Sequence, residues 1–241
     1  MSLRAQFAIL TLLSVTGVSA ALQAKPKWEH VTSKDGITVT MRDVPGRGFP
    51  TFRGVATINA YIFDVVAVIS DIKRHTEWME QCTDARLLKQ KNEFVYVVYS
   101  RTNAPWPVSD RDAVYYSEAK VNPKRYEVKI HFRAVKSPLM GKVGGVVRME
   151  KLRGYFHLRA LGLDRTRIDY QVDADPAGML PKWLAKLATK RLPLHTIRSL
   201  RKQVTRTRGW YHKRIKRWKA MYEPKEIKEL SRAAAAARSS L

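Results

Sequence analysis

The sequence predicts an α+β protein of helix-grip architecture, a curved antiparallel β-sheet wrapped around a long C-terminal helix. Three observations carry this reading. From Leu87 to Val172 apolar residues recur at every second position, with turn-forming residues between the runs. After Asp175 the period lengthens to that of an amphipathic helix. Between the first strands and the later ones lie two short helical stretches. A long helix with one apolar stripe buries it only against the concave face of such a sheet, and any volume left unfilled becomes a pocket.

The elements follow in order. Trp28–Val31 and Ile37–Met41 alternate apolar and polar residues about a Lys34-Asp35-Gly36 turn, which predicts a hairpin. A third strand is expected at 51–56 after the loop 44–50. Asn59 is placed to cap a helix whose stripe is Ile62, Val65, Val66 and Ile69, and a second helical turn is expected around 75–79. Strands are then predicted at 85–90, 94–102, 112–120, 125–134, 146–152, 154–160 and 166–173, joined as a meander. In 125–134, Tyr126, Val128, Ile130 and Phe132 share one face, while Arg125, Glu127, Lys129, His131 and Arg133 take the other. The closing helix carries Trp183, Leu184, Leu187 and Ala188, then Leu194, Ile197, Leu200 and Val204, with a kink expected at Pro193.

Composition narrows the function. Of 241 residues, 45% are hydrophobic, enough for one domain with a sizeable core. Forty-five Lys and Arg against 21 Asp and Glu leave a net charge of +24, which predicts attraction to a polyanion. The single cysteine, Cys82, excludes an intramolecular disulfide and reads as a small buried apolar residue. Arg4, the apolar run Phe7–Val15 and the small residues Val18-Ser19-Ala20 make residues 1–20 a cleavable signal peptide, too short in its apolar run to span a bilayer. An exported protein follows, with a bacterial periplasm as its natural address.

Catalytic patterns are missing. The chain has no G-x-S-x-G, Walker loop, H-E-x-x-H or dinucleotide fingerprint, and its six histidines show no metal-ligand spacing. No metal, cofactor or catalytic residue is therefore assigned. Asp110 and Asp112 around Arg111 read as capping with a local ion pair.

The most informative stretch is Arg101–Tyr115, a strand, a proline-fixed loop (Ala104-Pro105-Trp106-Pro107), a polar turn (Ser109-Asp110-Arg111-Asp112) and another strand. The run resembles the Pro-Trp-Pro-x-Ser-Asp-Arg-Asp hallmark of START (steroidogenic-acute-regulatory-related lipid transfer) domains. Trp28 with Lys34-Asp35-Gly36-Ile37, Trp78, and Asp175-Pro176-x-Gly178-x-Leu180-Pro181-x-Trp183-Leu184 match other family segments in order. The resemblance covers residues 27–206, with a basic tail at 207–241.

It implies a helix-grip fold that encloses one lipid, a sterol, phospholipid or sphingolipid, without covalent chemistry. Its lid would combine the loop 135–145, with Pro138, Leu139 and Met140 at the tip, and the last helix through Leu180, Trp183, Leu184 and Leu187. The buried acid–base pair of sterol-binding members falls on Val98 and Ser117, so that pair is absent here. By alternation the cavity candidates are Tyr96, Val98, Ser100, Tyr115, Ser117, Val128, Ile130, Phe132, Phe156, Leu158, Ile168 and Tyr170. Two alternatives stand beside this: a cyclase- or hydrolase-type enzyme on the same scaffold, which would need inward titratable groups, for example Arg148, Glu150 or His157, and a lipid-sensing, partner-binding module that uses the basic helix.

From Lys182 onward there are 18 Lys and Arg against three acids, a local charge of +15. Lys213, Arg214, Lys216 and Arg217 interleave with aromatics such as Trp218. This suits the surface of an anionic membrane, single-stranded nucleic acid, or a plain solvated face. Export makes the membrane the expected partner and nucleic acid the unexpected one.

Overall fold

A computed structural model describes residues 27–44, 49–178, 182–229 and 236, with 182–190 described through the backbone alone. The expected signal peptide lies outside these residues. The strands are β1 (Glu29–Lys34), β2 (Ile37–Arg42), β3 (Thr51–Ile58), β4 (Cys82–Asn92), β5 (Val95–Thr102), β6 (Arg111–Asn122), β7 (Glu127–Ala134), β8 (Val147–Arg148), β9 (Lys151–Ala160) and β10 (Thr166–Asp175). The helices are α1 (Ile62–Ile69), α2 (Lys182–Arg206) and α3 (His212–Tyr222), and a 3-10 turn covers Ile72–Glu77.

All ten strands join one sheet in the order β1-β2-β3-β10-β9-β7-β6-β5-β4, with β8 attached to β6 in parallel. Asp35 and Gly36 both take positive φ, the conformation that a two-residue turn needs to follow the twist of its strands. From β4 to β7 the chain makes the expected meander. The first three strands stand elsewhere: β3 pairs with β10 from Phe52–Val172 to Ile58–Thr166, so the last strand joins the two halves of the sheet. The connection from β3 to β4 runs through α1.

Several expectations change in detail. α1 starts at Ile62 with Tyr61 at its cap and no side-chain cap bond, so Asn59 does not cap it. The two strands expected at 146–152 and 154–160 are instead the short β8 and one continuous β9. Gly154 does not break the strand. A Cβ there would overlap the Gln171 carbonyl and the Phe132 ring, so the glycine admits a neighbouring side chain. α2 is a single helix of 25 residues with Pro193 inside it. At its crossing with β3, Gly54 leaves room for Pro193 and Ile197, whose atoms lie 3.0 and 2.8 Å from where a Cβ would stand.

Two layers cover the concave side. α2 lies over β2 and β3 and buries Leu194, Ile197, Leu200 and Val204, the stripe read from the sequence. Each contributes about 1.5–3 kcal/mol of burial. In α1 every residue except Asp64 is buried, including Phe63 and Ala67 outside the expected stripe. A helix that is apolar all round needs cover on both sides. The second cover is α3: Trp218 is fully buried, 5.8 Å from the Phe63 ring and 5.3 Å from Phe94, and Arg214 donates to the Ala67 carbonyl. The folded unit therefore runs past residue 206 to at least Glu223, whose carboxylate accepts from the hydroxyls of Tyr61 (2.7 Å) and Tyr126 (3.4 Å). Among the described residues no helix is long and apolar enough to cross a membrane.

Candidate functional site

Where α2 passes over the other end of the sheet, the described residues enclose a cavity of about 400 Å³. That volume is within the range of small-molecule sites. Seven of the predicted residues line it: Ser100, Tyr115, Ser117, Ile130, Phe132, Phe156 and Tyr170. Three of the rings form a continuous wall, with Phe156 stacked on Tyr170 at 4.3 Å and Phe132 6.0 Å from Phe156.

The other five do not line the cavity. Val98, Val128, Leu158 and Ile168 are at most 1% exposed and Tyr96 6%, all within the packed core. Alternation assigns a face, and it cannot say what covers that face at each point along a strand. In β10, Ile168 belongs to the core, whereas Tyr170, Val172 and Ala174 reach the cavity.

The structure adds walls that alternation does not reveal. Ile69, Ile72 and His75 come from the end of α1 and the 3-10 turn, Phe49 from the loop before β3 and Phe52 from its start, and Leu192, Pro193 and Thr196 from α2. His75 is 3% exposed, and its Nε2 lies 2.8 Å from the Ile69 carbonyl. Burial lowers its pKa to about 4 against the opposing pull of that hydrogen bond and of Asp71, so the ring is neutral at pH 7. Burial likewise raises the pKa of Tyr115 and Tyr170, which keep their protons. Cys82 is buried, and burial pushes its thiol up to about 11, which keeps it in the unreactive form.

The cavity is bordered by loops at one end of the sheet, among them 103–105 and Pro176, and the Ser109–Asp112 turn ties these down. Asp110 accepts from Arg101 (2.7 Å) and from the Ala104 amide (3.0 Å), closing the base of its own loop. Arg111 donates to the carbonyls of Ser109, Pro176 and Ala177, fixing the connection from β10 toward α2. Asp112, 1% exposed, pairs with Arg148 at 2.6 Å, and Arg148 donates on to the Met140 and Gly141 carbonyls. The polar turn thus reaches well beyond the local cap and ion pair that its sequence suggests. On the loop between β5 and β6, Ala104 and Pro105 line the cavity and Trp106 is 90% exposed.

The lid candidates are placed as follows. Pro138, Leu139 and Met140 do not line the cavity; Leu139 is half exposed on the loop that Arg148 holds. Leu180 lies outside the described residues, as do the side chains of Trp183, Leu184 and Leu187. Of the surface candidates on α3, Lys213, Lys216 and Arg217 are exposed, Arg217 paired with Glu93. Trp218 is a core residue that donates to Glu93 (2.9 Å), which removes it from any docking surface. The groups that an enzyme would turn inward face elsewhere: Arg148 is taken by Asp112, His157 by Glu127 at 3.0 Å, and Glu150 is exposed.

Comparison with known proteins agrees with this geometry. The family model described as START domain matches residues 16–208, and the chain belongs to that family. An uncharacterised protein of Pseudomonas aeruginosa is 30% identical over 188 residues, covering 78% of this chain and 91% of its own. The crystal structure of a STAR-related lipid transfer protein fragment from Xanthomonas axonopodis superposes with a TM-score of 0.67 at 30% identity, covering 74% of this chain and 98% of that one. Human phosphatidylcholine transfer protein is 25% identical over 128 residues, which span 51% of this chain and 59% of that protein.

Proposed function

We propose that the protein binds one lipid in this cavity and carries or presents it between membranes, without covalent chemistry. The observation that carries the reading is the aromatic-walled cavity beneath α2, whose lining includes Ala104 and Pro105 next to the exposed Trp106. Moving apolar ligand surface out of water stabilises the complex by ~0.8 kcal/mol per methylene. An exposed Trp beside the cavity suits an interfacial anchor, since its ring is apolar and its N–H seeks a polar partner. Leu139 is exposed on the neighbouring loop, and Lys136 and Lys142 flank it in sequence. Docking of this end on an anionic bilayer would set the cavity against the lipid it extracts, with Lys136 and Lys142 supplying the attraction. The proposal includes export: residues 1–20, read as a signal peptide, would take this work outside the cytoplasm.

Native mass spectrometry with lipid extraction on the purified chain tests the proposal. A stoichiometric co-purified lipid is the expected result. An empty protein that also takes up neither sterol nor phospholipid from vesicles would overturn it.

A further inference from the structure

The convex face of the sheet, turned away from the aromatic-walled cavity, carries a second hollow of about 350 Å³. Alternation sends Tyr116, Arg133 and Arg153 to that face, since their strand neighbours Tyr115, Ser117, Phe132 and Leu152 line the cavity. The register sets them in one row: Tyr116 stands opposite Arg133, Arg133 opposite Arg153, and Arg153 opposite Asp173. Two arginines directly across from each other repel, which costs the sheet stability. The row's carboxylate, Asp173, takes Arg153 at 2.7 Å. Among the described residues Arg133 has no acid partner, and its guanidinium lies over the Tyr116 ring at 5.5 Å. Arg42, which lines the same hollow from β2, likewise meets no acid among them and stacks on Trp28 at 4.8 Å. Glu118, also in the lining, lies 3.9 Å from Lys120. With Arg153 and Glu118 so matched, Arg42 and Arg133 leave the hollow two positive charges that no acid answers.

We propose that this hollow is a binding site for a phosphate monoester, held by the facing pair Arg133 and Arg153 with Arg42 across the hollow. The guanidinium fork matches phosphate oxygens in pairs, and an anion set between the facing arginines replaces their repulsion with two attractions. A monoester carries about −1.5 to −2 at pH 7, close to what Arg42 and Arg133 call for, whereas a diester carries a single charge. Burial, followed by Lys129 and Lys120, lowers the pKa of His131 in the same lining, so that ring is neutral at pH 7 and the arginines are the cations of the site. The site is separate from the cavity and does not depend on the carrier reading. Two sources offer this chemistry, a soluble phosphate monoester and the monoester headgroup of a lipid, and the experiment separates them.

Isothermal titration calorimetry on the whole purified chain compares methyl phosphate with dimethyl phosphate. Vesicle flotation compares phosphatidylcholine doped with phosphatidic acid, a monoester, against phosphatidylglycerol, a diester, at matched surface charge. In at least one of these pairs the monoester is expected to bind about tenfold more tightly, the size of one charge-assisted hydrogen bond. Arg133→Gln should remove that preference, and Arg42→Gln should weaken monoester binding about threefold. Lys124→Gln takes one charge from the turn at the other end of the β6–β7 pair and should change neither. Arg133→Gln should melt no lower than the wild type, because it relieves the facing of Arg133 and Arg153, so its lost binding is not lost folding. Shifts of the Arg133 and Arg153 Nε–H resonances on adding the monoester report the contact in the wild type without a substitution. A preference seen in calorimetry assigns a soluble ligand, and one confined to vesicles assigns a lipid headgroup. Equal binding of monoester and diester in both pairs, or as large a loss from Lys124→Gln as from Arg133→Gln, would overturn the site and leave the carrier reading standing.

Discussion

The two ends of the sheet are built from the same strands and the same alternation, yet one is solid and the other hollow. At the end near the 93–94 and 122–126 turns, the inward residues meet α1, and α1 is in turn roofed by α3 through Trp218 and Ile215. At the other end α2 crosses beside the end of α1 and the 3-10 turn, and Tyr115, Phe132, Phe156 and Tyr170 face open volume. The difference lies in what covers the sheet. A pocket is thus a property of the covering layer as much as of the strands beneath it, and the two ends respond differently to substitution.

The largest effect should come from the solid end. Trp218→Ala empties a fully buried site beneath which Phe63 and Phe94 pack, and should cost about 3–5 kcal/mol in urea denaturation. A loss below about 1 kcal/mol would show α3 to be an accessory, and with it the contrast between the ends would fail. Next comes His75, at the border between the two. Its pKa in the folded chain is about 4, against about 6.5 when unfolded, so the unfolded chain binds the proton first. Stability should therefore fall as the pH drops from 6.5 to 4, by up to about 3 kcal/mol from this group, and be unaffected by it above pH 7. Melting temperatures of wild type and His75→Gln across that range isolate the contribution; parallel profiles would refute it.

A smaller loss, about 2 kcal/mol, is expected for Glu223→Ala, which leaves the hydroxyls of Tyr61 and Tyr126 without their shared acceptor. Equilibrium unfolding measures it, and Glu223→Gln should recover part of the loss because its amide oxygen still accepts. The smallest change in stability belongs to the hollow end. Leu139→Asp with Met140→Asp should alter unfolding by less than about 0.5 kcal/mol, as surface changes do, while slowing lipid extraction from anionic vesicles severalfold. Unchanged transfer rates would remove the loop from the docking face.

Much of the architecture was legible because period alone reveals it. The two-residue rhythm of β7 and the spacing of Leu194, Ile197, Leu200 and Val204 each translate directly into a buried face. What escaped was the second roof. The run Ile62-Phe63-Asp64-Val65-Val66-Ala67-Val68-Ile69 is apolar on nearly every side, and that was the available signal that another element must cover it. The basic residues around Trp218 hid the answer, because a helix with one buried aromatic and many cations reads as a surface helix. The same gap explains the misplaced cavity residues. Ile168 and Tyr170 are equivalent by alternation, and only the position of α1 separates core from wall. His75 lay outside the strand pattern altogether, and a single histidine in a short helical stretch carries no spacing that would put it at the cavity wall.

Three consecutive residues, Asp110, Arg111 and Asp112, each grip a different segment beside the cavity. The bases of these segments are thereby set by one short stretch leading into β6, while the tips beyond them are unconstrained by it. Grafting tips of other lengths and compositions between the grips should therefore leave the scaffold able to fold, which makes the rim exchangeable. A designer wishing to retarget the protein to a different bilayer would alter Pro105–Pro107 and Ser137–Leu139 and leave the gripping triplet and the Arg148 contacts intact.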